Sequence, residues 1–250
     1  MSGHNRWSKI KHKKAAAGAA KGKLFTKLIK EITVAARIGG GDPAANARLR
    51  AAVDAAKEAN MPADNITRAV KKGTGELEGV SYEEVVYEGY GPGGVALLVE
   101  CLTDNRNRTA GDVRTSFAKG GGNMAAAGAV AWNFERRGLV EVKPGPSEEQ
   151  VLEAALEGGA EDVSPQGEAG FEVRTAPHDL GAVVAALEAR HLALGGRRLA
   201  YLPRETVRLG DPDKARGLLK LLDLLDDLDD VQAVHGNFEI DDGTLEQAGG

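Results

Sequence analysis

Residues 83–100, which read EEVVYEGYGPGGVALLVE, decide the fold class of this chain. On both sides of the glycine-rich turn at 89–94 the residues follow a period of two, which predicts two strands joined by that turn. The residues before Gly79 follow a helical period instead. Separate runs of helix and strand predict an α+β fold.

The segment before these strands is predicted to be helical. Apolar residues recur at helical spacing over 24–36, and three glycines at 39–41 end this helix. Two further helices are predicted at about 43–59 and 62–72. Residues 1–78 are therefore predicted to form a basic N-terminal domain built on a small helical bundle.

Another helix and another strand are predicted after the hairpin. Thr109, with Asp112 three residues later, resembles a capping pair that opens a helix. Val130, Trp132 and Phe134 alternate as the buried face of a strand. Both elements are assigned to the α+β domain that begins at residue 79.

Residues 138–209 carry a self-contained pattern in the order βαββαβ, which matches a ferredoxin-like unit. A helix at about 212–229 and a final strand at 231–240 follow it. Because residues 79–137 lack a partner helix and strand, we expect residues 79–137 and 210–243 to form one discontinuous α+β domain. The 138–209 unit would then be inserted in that domain.

Charge is strongly segregated along the chain. The net charge is -5, but residues 1–30 hold nine Lys or Arg and no Asp or Glu. Such dense like charges repel one another, and a polyanion would relieve the repulsion and release counterions. A solvated, solubilising tail is the alternative. The predicted nucleic-acid contacts in this basic segment, residues 1–30, are Arg6, Lys9, Lys11, Lys13, Lys14, Lys21, Lys23, Lys27 and Lys30.

A second group of candidate contacts follows the second strand. Asn105, Arg106, Asn107 and Arg108 place two amides and two guanidiniums just before a helix, where they could grip phosphate or RNA edges. Alternatively, the amides only shape the turn while the arginines pair with nearby carboxylates.

The C-terminal helix carries five aspartates between residues 223 and 230. Leucines form its inward stripe, so these carboxylates are predicted to lie on the solvent side. We also consider that this acidic region competes with nucleic acid for the basic segment.

Composition and motif spacing exclude several classes of protein. With 42% hydrophobic and 28% charged residues, neither a fibre nor a disordered chain is expected. The apolar runs are shorter than the roughly 18 residues that span a bilayer, and the N-terminus lacks an apolar signal core. The lone Cys101 rules out an intramolecular disulfide and fits a reducing cytoplasm. We therefore expect a cytoplasmic protein with no membrane partner, metal, cofactor, small-molecule substrate or enzymatic activity.

Several long motifs, taken together, resemble those of the YebC/PmpR family of transcriptional regulators. They occur in the same order over essentially the whole chain, most closely up to residue 138. The motifs are GHNRWSKIKHKK at 3–14, GKLFTKL at 22–28, NMP at 60–62, DNI at 64–66, YEGYGPGG at 87–94, residues 103–109 and GGN at 121–123.

This resemblance implies a three-domain fold, with an N-terminal helical domain and two α+β domains of which one is inserted in the other. It also implies a DNA-binding regulator of transcription. Relatives that include a mitochondrial translational activator of cytochrome c oxidase act at the ribosome and assist synthesis of proline-rich sequences. The resemblance therefore names two partners, promoter DNA and ribosomal RNA, without choosing between them.

The sequence as a whole predicts a nucleic-acid-binding regulator of gene expression. DNA-binding transcriptional control is the first hypothesis, and a ribosome-binding or RNA-binding translation factor is the alternative. A protein-interaction scaffold that pairs subunits through its ferredoxin-like unit stays open as a third hypothesis, because the residues leave the oligomeric state undecided.

Overall fold

A computed structural model describes residues 19–248. Among the described residues the chain forms two compact units, one from residues 19–134 and 203–248 and the other from residues 135–202. The helices are α1 (Ala19–Gly39), α2 (Ala47–Glu58), α3 (Ala63–Thr74), α4 (Arg106–Lys119), α5 (Glu148–Glu157), α6 (Leu180–Ala189), α7 (Pro212–Asp226) and α8 (Asp242–Ala248). The strands are β1 (Glu83–Tyr90), β2 (Ala96–Thr103), β3 (Asn123–Met124), β4 (Phe134–Val142), β5 (Asp162–Pro165), β6 (Phe171–Thr175), β7 (Leu194–Pro203), β8 (Val207–Leu209), β9 (Val231–Gly236) and β10 (Phe238–Ile240).

The first three helices pack around a shared apolar core that includes Ile32 and Leu49. Helix α2 begins later than predicted because Asn46 caps it, accepting a hydrogen bond from the Leu49 N–H at 3.1 Å. Gly73 allows α3 to approach α1, since a Cβ there would lie 2.4 Å from the Thr33 carbonyl oxygen. The predicted helical bundle is confirmed.

A four-stranded antiparallel sheet in the order β3-β1-β2-β9 forms the centre of the first unit. Phe117 of α4 and Leu218 of α7 belong to the same fully buried core as Leu97 and Val99 of β2. The strand predicted near Val207 within the inserted unit pairs instead with β10, in parallel. Chain segments from both sides of the insertion therefore build one core.

Residues 135–202 form the second compact unit, with strand order β5-β6-β4-β7. Strand β6 pairs antiparallel with both β4 and β5. Val140, Val173 and Leu187 are among its fully buried core residues. The chain order β4-α5-β5-β6-α6-β7 confirms the predicted βαββαβ pattern.

Two local predictions in the first unit are wrong. Helix α4 begins at Arg106 with Asn105 as its cap, so Thr109 does not open it. The predicted strand around Trp132 is a 3₁₀ turn over Ala131–Asn133. Trp132 is 62% exposed, because a turn breaks the alternation that a strand would impose.

Candidate nucleic-acid interface

The structure separates the predicted contact residues into three groups. Arg6, Lys9, Lys11, Lys13 and Lys14 lie outside the described residues. Lys21, Lys23, Lys27 and Lys30 lie on α1. Asn105 caps α4, and Arg106, Asn107 and Arg108 form its first turn.

Three lysines of α1 form ion pairs with aspartates at the C-terminal end of α7. The pairs are Lys23–Asp227 at 3.0 Å, Lys27–Asp226 at 2.8 Å and Lys30–Asp230 at 2.5 Å. Positions 23, 27 and 30 share one helix face, so a single approach of α1 makes all three pairs.

The same lysines also donate hydrogen bonds to backbone carbonyls at this end of α7. Lys27 Nζ lies 2.8 Å from the carbonyl oxygen of Asp226, the last residue of α7, and Lys23 Nζ lies 3.2 Å from that of Asp227, the C-cap. Lys30 Nζ lies 2.9 Å from the Asp229 carbonyl oxygen, in the turn that follows the helix. The last carbonyls of a helix lack intrahelical partners and carry the negative end of its dipole. Helix α1 thus supplies the C-terminal cap of α7, a role that the sequence analysis did not assign to it.

Exposure of these lysines rises toward the N-terminus of α1. The exposed fraction of the side chain is 8% for Lys30, 14% for Lys27 and 43% for Lys23. Lys21 is exposed, with its ammonium 5.5 Å from the centroid of the Phe25 ring. The helix therefore changes from a buried anchor at Lys30 to a solvated cationic end at Lys21.

Asp230 is the centre of a polar cluster, defined here as Asp230, Lys30, Thr103, Arg108 and Thr109, of which only Arg108 is exposed. Its carboxylate accepts hydrogen bonds from Lys30 at 2.5 Å, Arg108 at 2.7 Å, Thr109 at 2.7 Å and Thr103 at 3.3 Å. Burial by itself would raise the pKa of Asp230, but the hydrogen bonds and the charge of Lys30 lower that pKa to about 2. The cluster joins α1, β2 and α4 through one carboxylate.

This geometry corrects the prediction for the acidic residues of the C-terminal helix. Asp230 is buried and fully engaged, so the solvent-side prediction is wrong for it. Asp227 agrees with the prediction, because its side chain is 70% exposed. The sequence signal that could have found the difference is the position of Asp230 just before the buried Val231 of β9.

The first turn of α4 contains both anchored and exposed polar groups. The Asn105 side chain accepts a hydrogen bond from the Arg108 N–H at 3.1 Å. The Arg108 guanidinium bonds Asp104 and Asp230, each at 2.7 Å. Arg106 is 65% exposed, and its contact with Glu83 is long, at 3.7 Å. Asn107 is exposed. Asn105 and Arg108 are also exposed, but these hydrogen bonds hold their side chains, which leaves Arg106 and Asn107 as the candidate contacts of this group.

A second buried carboxylate shapes the loop between β3 and β4. Glu88 accepts hydrogen bonds from the backbone N–H groups of Gly128 at 2.6 Å, Val130 at 2.7 Å and Ala131 at 2.9 Å. Burial would raise the pKa of Glu88, but these three bonds hold it below its ordinary value. Glu88 therefore holds the loop as a carboxylate.

We expect Glu88→Gln to destabilise the protein by about 2 kcal/mol, because an amide loses the charge and places a donor against backbone donors. Denaturant unfolding at pH 7 measures this change. Glu83→Gln, on an exposed position of the same strand, is the matched control and should change stability by less than about 0.5 kcal/mol. Equal stability of the two variants would contradict the assigned role of Glu88.

Among residues 19–248, no helix is long and apolar enough to cross a membrane. Within the same range, no group of three or more His, Cys, Asp or Glu side chains is arranged to hold a metal ion. Burial raises the pKa of the Cys101 thiol to about 12, so this thiol is unreactive at neutral pH. The side chains of the first unit that could form a functional site are cations, the carboxylates that bind them, and exposed aromatic rings.

Comparison with known proteins places these features in a family. Residues 5–76 match the model of the TACO1/YebC protein N-terminal domain, and residues 82–238 match that of the TACO1/YebC second and third domain. The chain belongs to the TACO1/YebC family.

Similar proteins cover nearly the whole chain. A "Probable transcriptional regulatory protein" of Myxococcus xanthus is 62% identical over 98% of both chains. Another from Geobacter sulfurreducens is 57% identical over 99% of both chains. The crystal structure of a conserved hypothetical protein from Aquifex aeolicus has a TM-score of 0.85 and 51% identity, covering 95% of this chain and 98% of that one. The names of the two relatives describe probable transcriptional regulators.

Proposed function

We propose that this protein is a non-enzymatic, cytoplasmic regulator of gene expression that binds nucleic acid, with DNA-binding control of transcription as its function. The observation that carries the proposal is that the cations of the basic segment fall into two sets, one paired with aspartates and one without acidic residues nearby in the sequence. Lys23, Lys27 and Lys30 are paired with aspartates, whereas the six cations before Lys23 have no Asp or Glu in their segment of the sequence. Lysine-rich segments without carboxylates are suited to phosphate contacts.

The proposed interface consists of the cations before Lys23 together with the exposed start of α4. Arg106 can donate to a phosphate because its contact with Glu83 is long and exposed. Lys30 and Arg108 act as positioning residues, because Asp230 already binds both side chains. Lys23 and Lys27 would contact phosphate only if their ion pairs with Asp227 and Asp226 were broken.

A ribosome-binding or RNA-binding translation factor is the second candidate. It is favoured by two exposed aromatic side chains, Tyr90 at 37% and Trp132 at 62% exposure. Exposed rings suit unpaired bases, which are more common in RNA than in duplex DNA. Names of relatives support the transcriptional candidate.

In-cell crosslinking followed by sequencing of all recovered nucleic acid distinguishes the two candidates. Enrichment of discrete promoter DNA would support transcriptional control. Enrichment of ribosomal RNA at one site would establish the translation factor instead. Recovery of neither above an uncrosslinked control would contradict nucleic-acid binding altogether.

We expect Arg106→Ala and Arg108→Ala to have different effects. Arg106→Ala should weaken nucleic-acid binding and flatten the salt slope by about one on duplex DNA, with unchanged stability. Arg108→Ala should lower stability by about 2 kcal/mol, because it removes a charged partner from buried Asp230. Fluorescence anisotropy against salt and denaturant unfolding measure the two effects. If Arg106→Ala lowered stability more than Arg108→Ala, the assignment of Arg106 to nucleic-acid contact and of Arg108 to positioning would be wrong.

A further inference from the structure

Tyr90 and Trp132 form an exposed aromatic pair that the phosphate contacts proposed above leave unused. The Tyr90 hydroxyl and the Trp132 indole N–H both donate to the carbonyl oxygen of Ala129, at 3.2 Å and 3.0 Å. The indole has no other donor, so its remaining binding capacity is the face of the ring. The two side chains flank one backbone carbonyl.

Tyr90 lies at the end of β1, and the loop that carries Trp132 is held in place by Glu88. Glu88 binds the N–H groups of Gly128 and Val130, on either side of Ala129, whose carbonyl oxygen accepts from both rings. Val130 is 1% exposed and anchors the loop in the core. An aromatic ring that is exposed yet held in place loses little conformational entropy on binding a ligand.

Polar groups adjoin the aromatic pair. Tyr90 is directly opposite Asn123 in the β1–β3 ladder, so the two side chains lie on the same face of the sheet. Gly122 allows this close approach, because a Cβ there would lie 2.4 Å from the Tyr90 carbonyl oxygen. Asn123 and Lys119 are exposed, and Lys119 has no ion-pair partner among the described residues.

We propose that Tyr90, Trp132 and Asn123 form a binding site for an unpaired nucleobase. The rings stack on the base, the Asn123 amide bonds its edge, and Lys119 meets the backbone phosphate. The proposal rests on nucleic-acid binding as proposed above, and it specifies single-stranded or looped nucleic acid. A stacked duplex base offers no free face to Trp132.

Single-tryptophan fluorescence tests this site in the full chain. The chain has two tryptophans, so a Trp7→Phe background leaves Trp132 as the only tryptophan, which is excited selectively at the long-wavelength edge of its absorption. Titration with a twelve-nucleotide single strand should quench that emission, whereas a blunt duplex of the same sequence should not. Trp132→Ala should lower single-strand affinity roughly 5- to 150-fold and leave duplex affinity unchanged.

Trp132→Phe, which keeps a ring, is the matched variant and should recover most of the affinity. Unchanged single-strand affinity in Trp132→Ala would overturn the base site while leaving nucleic-acid binding in place. An equal loss of affinity for duplex in Trp132→Ala would also overturn it. So would the finding that Trp132 is needed to capture a partner protein while single-strand affinity does not depend on it. Failure of the parent protein to bind either strand form would instead overturn the proposed function.

Discussion

Replacing Asp230 by Asn is expected to destabilise the protein by about 3 kcal/mol at pH 7. The substitution preserves shape but leaves Lys30, whose side chain is 8% exposed, without its anionic partner. A buried charge that loses its partner keeps its desolvation cost and loses the compensating attraction. Denaturant unfolding of the two proteins measures the difference.

The matched control is Asp227→Asn, because Asp227 pairs with Lys23 from the same segment but is 70% exposed. It should cost less than about 1 kcal/mol, since exposed ion pairs contribute little. If both variants lost the same stability, burial of the Asp230 cluster would not be the cause.

The Asp230 effect should also depend on pH. The pKa of Asp230 is lowered from 3.8 to about 2, so the folded state binds the proton less readily than the unfolded state. The stabilisation is complete above about pH 5 and is lost as the pH falls from about 4 to 2. The stability gap between the parent protein and Asp230→Asn should therefore narrow over that window. A gap that stays constant down to pH 2 would contradict this assignment.

Changing Lys9, Lys11, Lys13 and Lys14 to Ala together is expected to lower affinity for duplex DNA on the order of a thousandfold near 0.1 M salt. Each lysine that meets a phosphate releases a counterion on binding, so the salt slope should flatten by roughly three to four. Anisotropy titrations at several salt concentrations measure both quantities. Circular dichroism and unfolding should show an intact fold.

A control with the same change in net charge is available within the chain. Lys57, Lys71, Lys143 and Lys220 are exposed lysines elsewhere, and changing these four to Ala removes the same formal charge. We expect little change in affinity or slope from this variant. Equal effects of the two quadruple variants would show that net charge, and not the basic segment, governs binding.

Much of the fold could be predicted from local pattern. The helical spacing over 24–36 and the period of two around 89–94 are properties of neighbouring residues, and both predictions are confirmed. The βαββαβ order, which also follows from the periodicity of neighbouring residues, is confirmed as well. The strand at 207–209 was assigned to the wrong unit, because its partner β10 lies about thirty residues away in sequence.

The candidate site was less accessible to sequence reasoning. Lys23, Lys27 and Lys30 were grouped with the other cations, because residues 1–30 contain no Asp or Glu. Their aspartates lie about 200 residues later. Trp132 was assigned to the interior because it alternates with Val130 and Phe134 at strand spacing, and the turn at Ala131–Asn133 exposes it instead.

The sequence by itself determined the α+β class, the order of the elements and the segregation of positive charge over residues 1–30. These follow from backbone periodicity and from charges that are close along the chain. Only the tertiary structure decided which cations form ion pairs with aspartates, which carboxylates are buried and which aromatic rings face solvent. Each of those outcomes depends on side chains that meet after distant segments have packed, and burial determines how much each charge or ring contributes.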